Sequence, residues 1–276
     1  MSTTQTVTAT SVAAEKPLGG KARPDFVPRG NKSSSPLTTT LFLGLRIGDC
    51  FLQYGLLALG LADPLIRFLG GNVLQKPLES VHFPLGLTPY RAALLVMVSM
   101  AALKHVWFVL CVAQEAWTVT GALAVGFFNV FWFSTNSLFF LTTALSIASN
   151  TSGVEDMGLA FWIGSFLYWV GIGAETLAEV QRKQFKDDAR NKGKCYMGGL
   201  FSICRHINYT GYSLWRAGLG LATGGWILGA VTFAFFIWDF SSRAIPALDA
   251  YCTKRYTSQW AEYKRRTPYK ILPGIY

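Results

Sequence analysis

Two stretches of the chain gather side chains that can do chemistry. The first is Gly171-Ile-Gly-Ala-Glu175-Thr-Leu-Ala-Glu179-Val-Gln-Arg182-Lys183-Gln-Phe-Lys186. Spacings of four, four and three residues place Glu175, Glu179, Lys183 and Lys186 on one face of a helix. A carboxylate in apolar surroundings is costly and ordinarily turns toward a cavity or a charged partner. The plainer alternative is an interfacial, snorkelling Glu175 followed by a solvated Glu179 to Lys183 pair, worth about 0.3–0.5 kcal/mol. The second stretch is Gly198-Gly-Leu-Phe-Ser-Ile-Cys-Arg205-His206-Ile-Asn208-Tyr209-Thr-Gly211. Its arginine offers a planar fork for phosphate, its asparagine an amide for a carboxamide or hydroxyl, and its tyrosine a hydroxyl that can give up a proton. An ordinary basic interface loop with a belt tyrosine is the alternative.

The elements that carry these residues belong in a bilayer. Of the 276 residues, 51% are hydrophobic and 14% are charged, against about 25% charged in a soluble domain. A spanning helix needs roughly 20 apolar residues, and the stretches 37–62, 92–113, 119–148 and 157–180 satisfy that. A fifth region, 209–238, is broken by Thr223-Gly-Gly225 and reads as one long helix or a hairpin. Charge distribution decides. Seven Lys/Arg lie in 181–208 and seven in 243–276, and short basic loops stay in the cytosol. A single crossing would put those blocks on opposite sides, so a hairpin is predicted, with about six spans in an all-α membrane bundle. Its first arm, 209–222, is short, about 21 Å at 1.5 Å per residue, and must pack against protein. Three regions follow: a disordered cytosolic tail over 1–36 without a signal peptide, a four-span region over 37–180, and a loop, hairpin and cytosolic C-terminal segment over 181–276. The expected location is the endoplasmic reticulum membrane with both termini cytosolic.

Charges inside the spans are few. Arg46 and Asp49, three apart, are expected to neutralise each other. Lys104 and His105 lie in the second span, and His105 is a proton carrier or a merely hydrogen-bonded histidine. Gly171-Ile-Gly173 and Gly218-Leu-Gly220 begin a dinucleotide-binding pattern but lie in apolar segments with no preceding strand. The five cysteines show no metal-ligand spacing, so neither disulfides nor a metal site are expected. The net charge of +10 follows from topology, and no nucleic acid is expected as a partner.

From about Gly171 onward the sequence resembles the membrane-bound steroid 5-alpha-reductase and sterol reductase superfamily, most closely its branch of reductase-like proteins with a domain of unknown function. The carrying residues are Gly171 to Glu179, Gly198-Gly-Leu-Phe201, Asn208-Tyr-Thr-Gly211, Ile245-Pro-Ala-Leu-Asp249, Trp260-Ala-Glu-Tyr263 and Thr267-Pro-Tyr-Lys-Ile-Leu-Pro273. Ile207 replaces the proline of the sterol reductases' Arg-His-Pro element. The resemblance implies an NADPH site lined by Glu179, Lys183, Lys186, Arg205, His206, Asn208, Tyr209 and Arg243. It also implies hydride transfer to a carbon-carbon double bond of a sterol, steroid or other long lipid. Such a reaction needs a proton donor, and Tyr209 and Glu175 are the candidates. Isoprenylcysteine carboxyl methyltransferases share a similar Arg-His-Pro-x-Tyr-x-Gly element. An S-adenosylmethionine-dependent methyltransferase is therefore the alternative, and a non-catalytic membrane protein the third reading.

Overall fold

A computed structural model describes residues 35–77, 84–113 and 116–276, so nearly all of the predicted disordered tail lies outside the described residues. The fold is all-α, and among the described residues there are only isolated β-bridges. Helix α1 spans Pro36–Leu59 and stops at Gly60, whose φ of 72° ends the helix in the left-handed region. A short α2, Asp63–Phe68, follows. Helix α3, Pro89–Trp107, opens with proline in its first turn and with the Thr88 hydroxyl accepting from the Arg91 N–H, then closes in a wider π turn over Phe108–Val112. Helix α4, Val119–Leu141, is capped in the same way by Thr118. Helix α5, Leu159–Asp187, is the longest unbroken helix, 29 residues or about 43 Å.

Helix α6, Ile207–Asp239, is the predicted hairpin: Gly225 has φ 79° and ψ −165°, and the chain doubles back there. Only glycine enters that backbone region without strain. The first arm begins at Ile207, two residues earlier than expected, and reaches Gly224, giving about 27 Å instead of 21 Å. A π turn over Phe240–Ala244 leads into α7, Ile245–Tyr256, and α8, Ser258–Arg266. Four described helices, including the one that holds the hairpin, are long and apolar enough to cross a membrane. Helix α5 runs alongside the hairpin's first arm and so shares its depth. Large apolar side chains such as Phe51, Phe68, Trp162, Phe166 and Ile227 point outward, as a surface solvated by lipid requires.

The contact between α5 and the first arm of α6 is made by backbone. A Cβ on Gly171 would lie 2.5 Å from the Trp215 nitrogen, and one on Gly211 2.7 Å from the Gly171 oxygen. Two turns along, a Cβ on Gly164 would lie 2.6 Å from the Gly218 oxygen, and one on Gly218 2.5 Å from the Tyr168 nitrogen. Both helices thus carry a glycine pair seven residues apart, and small residues let membrane helices approach this closely. Those glycines serve packing, which explains the incomplete nucleotide pattern. Around the contact, Trp215, Tyr168, Phe133, Tyr90, Phe140 and Phe161 form an aromatic core. The Tyr90 hydroxyl donates to the Ala222 carbonyl at 2.6 Å, tying α3 to the hairpin tip.

At the other end of α5, segments 188–206 and 240–276 build a head around Cys195, Phe201, Cys204, Trp260 and Tyr263. Tyr263 donates to the Phe201 carbonyl at 2.6 Å, and the Cys195 N–H donates to Gln259 at 2.9 Å. The two basic blocks therefore share one end of the bundle, as the hairpin demands. Arg91 is buried at the opposite end, paired with Glu155 at 2.5 Å and donating to the Leu57 and Leu74 carbonyls.

Substituting Gly171 or Gly218 by alanine should force the two helices apart and lower stability by about 1–3 kcal/mol. Alanine at Gly44 or Gly173, where a Cβ meets nothing within 4 Å, should be neutral or stabilising. Thermal unfolding midpoints of the four purified variants check this.

Candidate functional site

Because the glycines bring α5 and α6 together, side chains that follow Gly171 and precede Trp215 must face one another. Glu175 is buried, and each of its oxygens has a donor. Lys104 of α3 pairs with Oε1, and the Trp215 indole N–H donates to Oε2 at 2.7 Å. The snorkelling alternative for Glu175 is thereby excluded. One turn on, Glu179 is also buried. Asn208 at the start of α6 donates to its Oε1 at 3.0 Å, and Arg182 pairs with Oε2. The partner three residues on stands in place of Lys183, the partner in the solvated-pair alternative. Lys183 turns to Asp187 at 2.5 Å, and Lys186 donates to the Lys194 carbonyl at 2.6 Å and the Tyr256 hydroxyl at 2.9 Å.

The Arg205 to Tyr209 stretch sits where the chain enters α6. Arg205 is buried, and its NH1 donates to the Thr267 and Pro268 carbonyls at 2.6 and 2.9 Å. The Arg205 and His206 backbone N–H groups donate to Tyr269 and Lys270 carbonyls at 3.0 and 2.9 Å. The tail from Thr267 onward is thus stitched beside the start of α6. Burial, with the Arg205 charge adding to it, pushes the His206 imidazole down to about 3, so the ring is neutral at physiological pH. His206 stacks on Tyr209 with ring centroids 5.5 Å apart, and Tyr209 on Phe240 with centroids 4.3 Å apart and planes 6° from parallel. Arg243, one turn beyond Phe240, is held by Asp239 at 2.5 Å.

The structure therefore gathers Glu179, Asn208, Tyr209 and His206 at the joint between α5 and α6, with Arg182 as a member that spacing alone missed. Arg243 is placed nearby through Phe240. Glu175 lies a turn deeper, in a buried group with Lys104 and Trp215. Lys183 and Lys186 extend into the head. Sequence spacing could flag Lys104 as a cation needing an anion, but its partner is 71 residues away, and only the packing of α3 on α5 identifies it. Chemically, the joint offers a carboxylate, an amide and a column of aromatic faces beside an apolar interior.

A polytopic helical membrane protein with this joint is similar to enzymes of two kinds. The chain is 52% identical over 237 residues, 84% of each chain, to "Probable O-methyltransferase ustE" of Ustilaginoidea virens. It is 30% identical over 101 residues to "Probable 7-dehydrocholesterol reductase" of Acanthamoeba polyphaga mimivirus, covering 34% of this chain and 21% of the relative. To "Protein-S-isoprenylcysteine O-methyltransferase B" of Arabidopsis thaliana it is 27% identical over 120 residues, 39% of this chain and 58% of the relative. The chain belongs to the family described as "Protein of unknown function (DUF1295)", which matches residues 110–267. The resemblance to the steroid 5-alpha-reductase and sterol reductase superfamily is borne out, and the relatives support an enzyme without choosing between hydride and methyl transfer.

Removing one partner of the buried Lys104 and Glu175 pair should destabilise the fold by about 3–5 kcal/mol, because the other charge is stranded. Lys104→Met with Glu175→Met together should recover most of that loss. Chemical denaturation of the two single variants and the double variant measures the coupling.

Proposed function

We propose that the chain is a membrane-embedded O-methyltransferase that uses S-adenosylmethionine, acting on an apolar, lipid-like acceptor at the joint of α5 and α6. The observation that carries this reading is the likeness to a probable O-methyltransferase over 84% of both chains. The site chemistry agrees with it. When bound, S-adenosylmethionine supplies an electrophilic methyl group on a sulfonium cation. Glu179 supplies a buried carboxylate at the joint, held by Asn208 and paired with Arg182, whose place a cationic ligand would take. Tyr209 lies between His206 and Phe240, and an adenine ring or a cation would meet the outer face of this aromatic column. His206, kept neutral, does not repel positive charge. The apolar bundle beneath keeps water from the acceptor. The distribution of basic loops supports cytosolic termini, and the endoplasmic reticulum is the membrane proposed.

The reductase reading rests on the partial likeness to sterol reductases. Here NADPH would be the cofactor, a carbon-carbon double bond of a sterol, steroid or other long lipid the substrate, and Tyr209 the proton donor. Two features weigh against it. The cations that would meet the phosphates are engaged within the chain: Lys183 by Asp187, Arg243 by Asp239, and Arg205 by two carbonyls. The other donor candidate, Glu175, accepts at both oxygens, the arrangement of a carboxylate and not of an acid poised to release its proton.

Equilibrium binding of labelled S-adenosylmethionine, NADPH and NADH to the purified protein separates the two. The expected result is binding of S-adenosylmethionine alone, weakened by Glu179→Gln by about 1.5–3 kcal/mol. Binding of NADPH without S-adenosylmethionine would reverse the assignment. In that case Tyr209→Phe should slow reduction by about 10²–10⁴-fold.

A further inference from the structure

Arg216 is a fully buried charge that takes no part in the joint of α5 and α6. It lies midway along the first arm of α6, at bilayer depth. Its NH2 donates to Asn129 of α4, and its Nε and NH2 donate to the Tyr212 hydroxyl at 3.1 and 2.7 Å. The rings of Trp215, Phe133, Tyr212, Phe236 and Phe128 surround the guanidinium carbon at 4.4–5.9 Å from their centroids. Its NH1 is buried without a hydrogen-bond partner, and among the described residues no carboxylate pairs with it.

Arg46 of α1 borders the same Phe133 ring, 5.2 Å from its centroid. It too is fully buried. Its NH1 reaches Asp49 at 2.7 Å, while its Nε and NH2 have no partner. The charges around this core do not balance: Arg46 is offset by Asp49 and Lys104 by Glu175, leaving Arg216 uncompensated. A guanidinium does not give up its proton in a protein, so burial cannot neutralise it, and aromatic faces ease its desolvation without cancelling its charge. Buried donors left unpaired are costly, and an intramembrane charge ordinarily faces a partner or a ligand.

We propose that Arg216, with Arg46 beside it, forms an intramembrane subsite for the oxyanion of an amphipathic ligand, a carboxylate matching the planar guanidinium fork. The site lies among α1, α4 and α6, so the ligand's apolar body occupies the bilayer side of the bundle while its anionic group is held at bilayer depth. Trp215 links the two regions: its ring stacks on Arg216 and its N–H holds Glu175. This subsite is read by binding alone and stands whether the protein transfers a methyl group or a hydride.

The test uses the full chain in nanodiscs of neutral phosphatidylcholine at mildly alkaline pH, with oleate and oleyl alcohol as probes. Oleate should bind at least about tenfold more tightly than the alcohol, the effect of one charge-assisted hydrogen bond, and should raise the unfolding midpoint. Arg216→Gln should abolish that preference, and Arg216→Lys, which keeps the charge and loses the fork, should retain part of it. If phosphatidylglycerol added to the nanodiscs displaces oleate in the parent and not in Arg216→Gln, the oxyanion subsite is supported with a lipid phosphate as its natural occupant. Equal affinity of the parent for oleate and oleyl alcohol would overturn the proposal even if Arg216→Gln fails to fold, as would a preference that survives in a folded Arg216→Gln.

Discussion

The close approach of α5 to the first arm of α6 is the constraint on which the rest of the molecule depends. Lipid gives membrane helices no hydrophobic reason to associate, so their contact rests on fit and on polar pairing. Gly164 and Gly171 on one helix and Gly211 and Gly218 on the other remove the side chains that would hold the backbones apart. Once they touch, the groups that follow have little choice of neighbour. Trp215 reaches Glu175, and Asn208 reaches Glu179. The head is fixed by the same contact, since α5 and α6 deliver its loop and its tail to one end of the bundle.

Polar pairing supplies what the glycines cannot, which is register among the remaining helices. Lys104 fixes α3 against α5 through Glu175. Gln53 of α1 bridges Asp49 at 2.9 Å and Ser134 of α4 at 3.1 Å, and accepts from Ser137 at 2.6 Å. In a medium without water each of these groups is expensive when unpaired, so a slip of one helix by a turn would strand several at once. That arithmetic of partners also singles out Arg216, whose neighbours are aromatic rings and neutral acceptors.

Much of this was legible in the sequence wherever the signal was local. Apolar length located α1, α3, α4 and the hairpin helix, whereas α5, expected as a span over 157–180, falls outside that group and takes its depth from its contact with α6. The split of lysine and arginine demanded a hairpin, and Gly225 provides its turn. Arg46 and Asp49, one turn apart, paired as expected. Failures came where the partner lies on another helix. Lys104 and Glu175 each stand out in the sequence, but nothing in local spacing relates residues of α3 and α5. A single arginine in an apolar run, such as Arg216, reads as a tolerated polar residue, and only its burial in the fold marks it. The four-residue rule offers Lys183 as one alternative partner for Glu179, whereas the three-residue neighbour Arg182 reaches it. The GxG runs showed the opposite problem: within a pattern associated with nucleotide loops, Gly171 and Gly218 mark the contact with another helix.

The proposed methyl transfer at this joint would use a carboxylate, an amide and aromatic faces held in one arrangement by the backbone contact of α5 and α6. The most direct measurement is therefore S-adenosylmethionine affinity in Gly171→Ala and Gly211→Ala compared with Gly173→Ala, each confirmed as folded. The account predicts that the first two lose most of their affinity while Gly173→Ala, whose added methyl meets nothing within 4 Å, keeps the parental value. Unchanged affinity in a folded Gly171→Ala would contradict it.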